Sequence, residues 1–254
     1  MAATTTRDDA VTIAALRRDI QASVDRALAC EHATHGLRRA LRAVAGEIAL
    51  WEGHACSAAE LGEQAGRLEA HQIQIGGGAR TLAGFVNVDL VPPADVLWDV
   101  REGLPFRDAT SSAIFAEHFL EHIDYPVAAK RFIAECFRVL ATRGHLIVGV
   151  PDAALVIGGY VNDDRALRDR MMRDWYGKRD NQAHFNTYVD LVNYVFRDQD
   201  DSDRYTPHLW AYDYPKLESL MISAGFRSVE PWQFDPRIAN PERQWGSVYA
   251  VATK

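Results

Sequence analysis

The sequence has little cysteine, no excess of positive charge and no long apolar run. Its three cysteines, Cys30, Cys56 and Cys136, lie far apart and form no CxxC pair, which excludes a disulfide framework. Lys and Arg number 28 against 35 Asp and Glu, for a formal charge of −7. A chain whose main partner is nucleic acid would be basic, so no such partner is expected. One local basic run, Arg165, Arg168, Arg170, Arg173, Lys178 and Arg179, is interleaved with Asp163, Asp164, Asp169, Asp174 and Asp180. It reads as a solvated face. No apolar stretch approaches the roughly 18 residues of a membrane span. The opening "MAATTTRDDA" lacks the basic start and apolar core of a signal peptide. These absences predict a soluble, reduced, cytoplasmic chain. What is there is 254 residues, 48% of them hydrophobic, enough for the core of one α/β domain with a small appendage.

The first seventy residues carry helical periodicity. Ile13, Leu16, Ile20, Val24 and Leu28 recur at three- and four-residue spacing, as do Leu37, Leu41, Val44, Ile48 and Trp51. Ser57 and Glu60 fit a capping box that would open a third short helix, "SAAELGEQAGRL". Residues 1–70 are therefore expected to form a helical layer, either packing support or a lid. From residue 71 the period changes. "HQIQI", "FVNVDL", "DVLWDV", "SSAIFAEH" and "HLIVGV" read as short strands, with a helix over "DYPVAAKRFIAECFRVL" that Asp124 can cap. A later helix, "YDYPKLESLMISAGF", stops at Gly225, and "RSVEPWQF" and "GSVYAVAT" close the sheet. Alternating strands and helices predict a mostly parallel sheet with helices on its faces. Residues 151–207 read as irregular, polar and aromatic, a candidate acceptor-binding insertion in a domain spanning 71–254.

The stretch "IQIGGGARTLAGFVNVDL" asks which ligand the glycines serve. A glycine turn after the first strand of such a sheet lets backbone approach a ligand closely. A phosphate loop needs GxxxxGK[ST], which is not present. A dinucleotide fingerprint needs GxGxxG and an acid about 20 residues on. Here Thr81 stands at the third glycine position and Asp89 follows Gly76 too soon. S-adenosylmethionine (SAM) remains.

With these motifs on view, the chain resembles the class I SAM-dependent methyltransferases of the type 11 kind, over roughly residues 71–254. "IQIGGGA" is similar to their first motif and "FVNVDL" to their second strand. "DVREGLPF", "SSAIFAEHFLEHI", "VLATRGHLIVGVPD" and "AYDYPKLESLMISAGF" follow in the family's order. The resemblance implies a Rossmann-like seven-stranded sheet with helices on both faces. It also implies cofactor contacts from Gly76, Gly77, Gly78, Asp89, Leu90, Asp99, Val100 and Glu117. Asp89 would hold the ribose hydroxyls, and Asp99 or the neighbouring amide the adenine. Two positions depart from the family: Gln74 replaces the acid before the turn, and Arg80 its last glycine. Arg80 would pair the cofactor's carboxylate or face water.

"EHFLEHI" is the second unusual stretch. His118 and His122 are four apart, so a helix would place them on one face beside Glu121, at metal-ligand spacing. The segment resembles the ExxEH of small-RNA 2′-O-methyltransferases and ubiquinone-pathway O-methyltransferases. That resemblance implies a divalent metal (Mg, Mn or similar) on His118, Glu121, His122 and His208. His118 stands where those enzymes carry Glu, and three imidazoles suit zinc, iron or cobalt better than magnesium. The bland alternative is a pair of hydrogen-bonding histidines. His145 is expected to be structural. His122 and His184 are candidate catalytic bases, with an ordinary pKa near 6.5. Tyr160, Trp175, Tyr176, Phe185, Tyr188, Tyr194 and Tyr205 would stack on an acceptor or form the insertion's own core.

A sugar hydroxyl is a poor nucleophile that needs a base, a metal or both. The expected reaction is therefore O-methylation of a small-molecule or oligosaccharide acceptor, a sugar or glycan. The chain is similar in flavour to enzymes of polysaccharide and natural-product pathways, the mycobacterial methylmannose polysaccharide O-methyltransferases among them. The alternatives are a metal-free N- or C-methyltransferase of a small-molecule natural product and a catalytically silent SAM-fold binding protein.

Overall fold

The structure, a computed structural model, describes residues 7–176, 187–197 and 207–254. The strands are β1 Gln72–Ile75, β2 Val86–Asp89, β3 Val96–Leu97, β4 Ser111–Glu117, β5 Leu140–Pro151, β6 Ser228–Pro231 and β7 Ser247–Thr253. They form one sheet in the order β3-β2-β1-β4-β5-β7-β6. β1 to β5 run parallel, and β7 is antiparallel to both neighbours. The expected α/β architecture is what the chain forms: a Rossmann-like, mostly parallel seven-stranded sheet with helices on both sides, plus N-terminal helices. The chain runs outward from β1 to β3, then returns to lay β4 on the other side of β1. That reversal opens a crevice at the carboxyl ends of β1 and β4, the place where such sheets bind ligands.

The core follows from the apolar spacing. Ile73, Ile75, Val88, Ile114, Ala116, Leu146 and Val148 are buried on one side of the sheet. Helix α3 (Val127–Val139) turns Phe132, Ile133, Cys136 and Val139 onto it. Each such side chain, fully buried, stabilises the fold by about 1.5–3 kcal/mol relative to exposure. Asp124 accepts from the Ala128 amide at 3.3 Å, but the helix begins later than expected, with Pro126 at its N-cap position and no side chain capping it. Helix α7 (Tyr214–Ser223) starts at Asp213, whose carboxylate accepts from the Lys216 amide at 2.9 Å. On the opposite face Phe115 and Tyr249 meet Leu82, Trp232, Phe234 and Ala239. His145 bonds Thr253 across the β5–β7 pair, a structural place as expected.

Three expectations need correction. Ser57 opens no helix: α2 runs unbroken from His35 to Leu61 and ends at Gly62, φ +51°. No proline stands between Trp51 and Leu61, and burial of Ala55 and Ala58 holds the segment in register despite Gly53. Residues 151–207 are not irregular where described. They hold α4 (Ala153–Val161), α5 (Arg165–Met171) and α6 (Tyr188–Arg197). Asp152 and Asp164 cap α4 and α5, and the unbroken apolar run of α4 hid its period. Most described aromatics here form a small core of their own, with Trp175 stacked on Tyr194 at 5.1 Å and Tyr188 buried. The side chains of Tyr176, Phe185, Tyr205 and His184 lie outside the described residues.

The third correction concerns the turn from β1 to β2. Residues 76–85 contain no helix, and the two departures noted at Gln74 and Arg80 stitch this turn down. Gln74 donates to the Arg80 carbonyl at 2.7 Å and accepts from the Leu82 amide at 2.8 Å. Arg80 neither faces water nor reaches the cavity. It donates to the carbonyls of Ile238 and Ala239 at 2.5 and 3.1 Å.

Before β1 stand α1 (Arg7–Ala29) and α2, packed together and joined by an Arg17–Glu52 ion pair. Leu16, Ile20, Leu37, Val44 and Trp51 remain exposed. Among the described residues no helix is long and apolar enough to cross a membrane. The basic run of 165–173 is paired locally, Arg165 with Asp163, Arg168 with Asp169, and Arg170 and Arg173 with Asp174.

Candidate active site

A cavity of about 240 Å³ opens at the carboxyl ends of β1, β2 and β4. Gly76, Gly78, Asp89, Leu90, Asp99, Val100, His118 and His122 all line it, together with Trp98, Arg101, Phe119 and, from α2, Glu47 and Leu50. Gly76 sits at φ +63°, and a Cβ there would come within 2.6 Å of the Phe119 ring. Glycine is required on both counts. The Gly78 amide donates to Asp89 Oδ2 at 2.9 Å, while Asp89 Oδ1 accepts from the Leu90 amide at 2.7 Å. Asp99 is held by Arg101, through the backbone amide and through Nε at 3.0 Å and Nη2 at 2.7 Å. Both carboxylates are thus fixed in place, and a carboxylate keeps further lone-pair sites for a ligand's hydroxyls or amine.

Two expected cofactor residues lie elsewhere. Gly77 is absent from the wall; a Cβ on it would meet the Gln74 side chain at 2.5 Å and Asn87 Oδ1 at 2.7 Å, so it serves the turn. Glu117 points away from the cavity into a buried network. It accepts from the Tyr249 hydroxyl at 2.7 Å and the Asn240 amide at 3.1 Å, with Arg243 3.9 Å away. A strand-end acid reads the same in sequence whichever way it turns. Conversely, Glu47, Leu50, Arg101 and His54 were not singled out. His54 accepts from the Asp99 amide at 3.3 Å and meets the Trp98 ring edge at 4.4 Å. Its pKa is lowered by burial, which keeps it an acceptor. Only its periodic place on α2 hinted at a partner.

The histidine end is built differently from the expected helix. His118 adopts φ +52° at the tip of β4, and Leu120–His122 form one 3₁₀ turn. A left-handed histidine is sparsely populated and marks a constrained site. The turn, not an i, i+4 helix face, brings the side chains together. Glu121, His122 and His208 place ligand atoms within 4.8 Å of one another. His208 is 4% exposed, and its Nδ1 faces the Val195 carbonyl at 3.0 Å, which directs the Nε2 lone pair away from that carbonyl. His118 stands beside this trio. Its Nε2 meets Ser247 Oγ at 2.7 Å and its Nδ1 lies 3.6 Å from Glu121 Oε1. Burial holds the His118 pKa well below its ordinary value.

Glu121 is the outlier. It is 1% exposed, and neither carboxyl oxygen has a hydrogen-bond partner among the described residues. Burial pushes its pKa up to about 8. An orphaned carboxyl flanked by two imidazoles fits a divalent ion.

Residues 79–148 match the methyltransferase domain family. No curated protein matches the chain. Solved structures that it resembles include a SAM-dependent methyltransferase of Thermotoga maritima, a possible histamine N-methyltransferase, at 18% identity over 74% of this chain and 84% of that one, with a TM-score of 0.43. A second is a SAM-dependent methyltransferase of Methanosarcina mazei, at 15% identity over 74% and 94%, TM-score 0.42. A third is a phosphoethanolamine N-methyltransferase of Haemonchus contortus in complex with S-adenosyl-L-methionine, at 13% identity over 76% and 50%, TM-score 0.39. Likeness at this level carries no argument about the acceptor. The domain match, set on this cavity, supports a SAM-dependent methyltransferase.

Proposed function

We propose that the protein is a SAM-dependent O-methyltransferase that acts on a hydroxyl of a sugar or glycan, with a divalent ion held by Glu121, His122 and His208. The observation that carries this reading is the buried Glu121 carboxyl with both oxygens unpartnered between two imidazoles. In this reading Gly76 and Gly78 admit the cofactor, Asp89 takes the ribose hydroxyls, and Asp99 with the Val100 amide takes the adenine. The acceptor oxygen attacks the methyl carbon in line. The O–C bond forms as the S–C bond breaks, and sulfur keeps the electron pair, leaving S-adenosylhomocysteine (SAH). The sulfonium is already a good electrophile, so the chain's work is alignment and proton removal. His118, unprotonated at neutral pH and steadied by Ser247, takes the hydroxyl proton. When bound, the ion would lower the pKa of that hydroxyl.

Dialysis against EDTA, then re-addition of magnesium, manganese, cobalt or zinc, tests the reading. Activity should be lost and then restored. His208→Ala should lose the metal response while SAH binding, read by calorimetry, stays intact. Full activity in EDTA with an unaltered His208→Ala variant would overturn it. The same carboxyl favours a second reading. With a pKa near 8 it is protonated at neutral pH and could donate a hydrogen bond to the acceptor of a metal-free N- or C-methylation. Chelator-insensitive turnover selects that one.

A further inference from the structure

We propose that Trp210 forms the wall of an acceptor subsite that takes a pyranose ring, beside the histidine end of the cavity. The inference rests on the sugar reading above and adds the residue that recognises the ring. Trp210 stacks on Tyr125, with centroids 4.7 Å apart and planes inclined by 29°. Tyr125 is in turn held by Lys216, whose Nζ lies 4.1 Å from the ring centroid and 2.7 Å from the phenol oxygen. Yet Trp210 is 42% exposed. An indole braced from behind and open to water has little conformational freedom left to lose when a ring lands on it.

Its position ties it to the reaction. The amides of Leu209 and Trp210 both donate to the Glu121 carbonyl, at 2.7 and 3.4 Å. The chain that carries Trp210 is therefore pinned to the residue at the centre of the candidate metal trio. His208, two residues earlier, has its ring 5.0 Å from that of His122. The sugar reading selects the ring type: a pyranose offers an axial C–H face to the exposed indole and keeps its hydroxyls at the ring edge, where water or the acceptor chemistry can reach them.

Saturation-transfer NMR on the full chain with bound SAH, using methyl α-mannopyranoside and methyl β-glucopyranoside as probes, tests the subsite. The wild type should show strongest transfer to protons on one face of the ring. W210A should weaken pyranoside binding about tenfold, while W210F retains most of it. SAH affinity, by calorimetry, and thermal midpoint should stay unchanged in W210F. With a pyranoside that is turned over, W210A should raise KM about tenfold and leave kcat within about threefold. Equal pyranoside binding by wild type and W210A would overturn the subsite and leave the sugar reading standing. No pyranoside binding by the wild type would overturn both.

Discussion

The carboxylates that line the cavity and the one buried behind its histidines are treated in opposite ways. At the cofactor end, Asp89 is met by the amides of Gly78 and Leu90, and Asp99 by three donors of Arg101. At the histidine end, Glu121 is more deeply buried than either, and no described group donates to it. Leaving a buried acceptor unmet costs about 1–3 kcal/mol, and more for a charged one. The chain has the means to avoid that cost, since it meets Asp89 and Asp99 at the cofactor end. The contrast teaches that the carboxylates at the cofactor end are already oriented by described donors, whereas Glu121 among the described residues is not.

The sharpest break of this contrast is Glu121→Gln. It keeps the shape and removes the charge, so activity should fall about 100-fold or more, as for loss of a ligand or its close support. Stability should move the other way at alkaline pH. The folded pKa of Glu121, about 8, lies above its ordinary 4.5. Below pH 4.5 the group is neutral in both states and costs nothing by ionisation. As pH rises from there through 8, the unfolded chain releases its proton first, so wild-type stability falls, by on the order of a few kcal/mol. The glutamine variant has no such proton, so this fall should be missing from its profile, which keeps the rise with pH that the buried His118 and His54 give. Urea unfolding of both metal-free proteins at pH 5 and pH 8 reads this directly. A divalent ion added at pH 8 should raise the wild-type midpoint and leave the variant's unchanged. Parallel pH profiles would mean that Glu121 is met in solution after all.

The next effect falls at the other end. Asp89→Ala removes a charged acceptor that the Gly78 amide already orients. SAH binding, measured by calorimetry, should weaken by about 2 kcal/mol, about 30-fold. Glu121→Gln should leave that affinity unchanged. If the two variants weaken SAH equally, the ends are one coupled site and the contrast dissolves.

How much of this could be read from the letters differs by end as well. The strand order was legible because "HQIQI", "FVNVDL" and "SSAIFAEH" alternate with helical spacing. The glycine turn and Asp89 were legible because a turn's chemistry is local. Glu117 was not, because the direction of a strand-end carboxyl is set by Tyr249 and Asn240, more than 120 residues on. Gln74 and Arg80 looked like losses from a motif and are instead the ties of a helix-free turn, visible only once Ile238 and Ala239 are beside them. At the histidine end the structure brings Glu121, His122 and His208 together and leaves His118 beside them, through a geometry other than the expected one. His118 at φ +52° and a 3₁₀ turn replace the imagined helix face. Ser57 shows the same limit in reverse: a good capping box counts for nothing inside a helix that tertiary contacts carry through it.

The smallest expected effect sharpens the contrast at its edge, where α2 closes the cofactor end. Glu47 from α2 lines the cavity and pairs with Arg101 at 3.0 Å. The Glu47 side chain is 63% exposed, so the pair is worth at most about 1 kcal/mol and less in high salt. Glu47→Ala leaves Arg101 bonded to Asp99 through its amide, Nε and Nη2. If the cofactor end is preformed by the sheet domain, Glu47 is a redundant tie. Unfolding free energy should then change by less than about 0.5 kcal/mol, and SAH affinity by less than about threefold. Calorimetry at low and high salt decides it. A tenfold loss of SAH affinity would show that Asp99 depends on the N-terminal helix for its position. The cofactor end would then be assembled by α2 closing over it, and its preformed look would belong to the two helices and the sheet together.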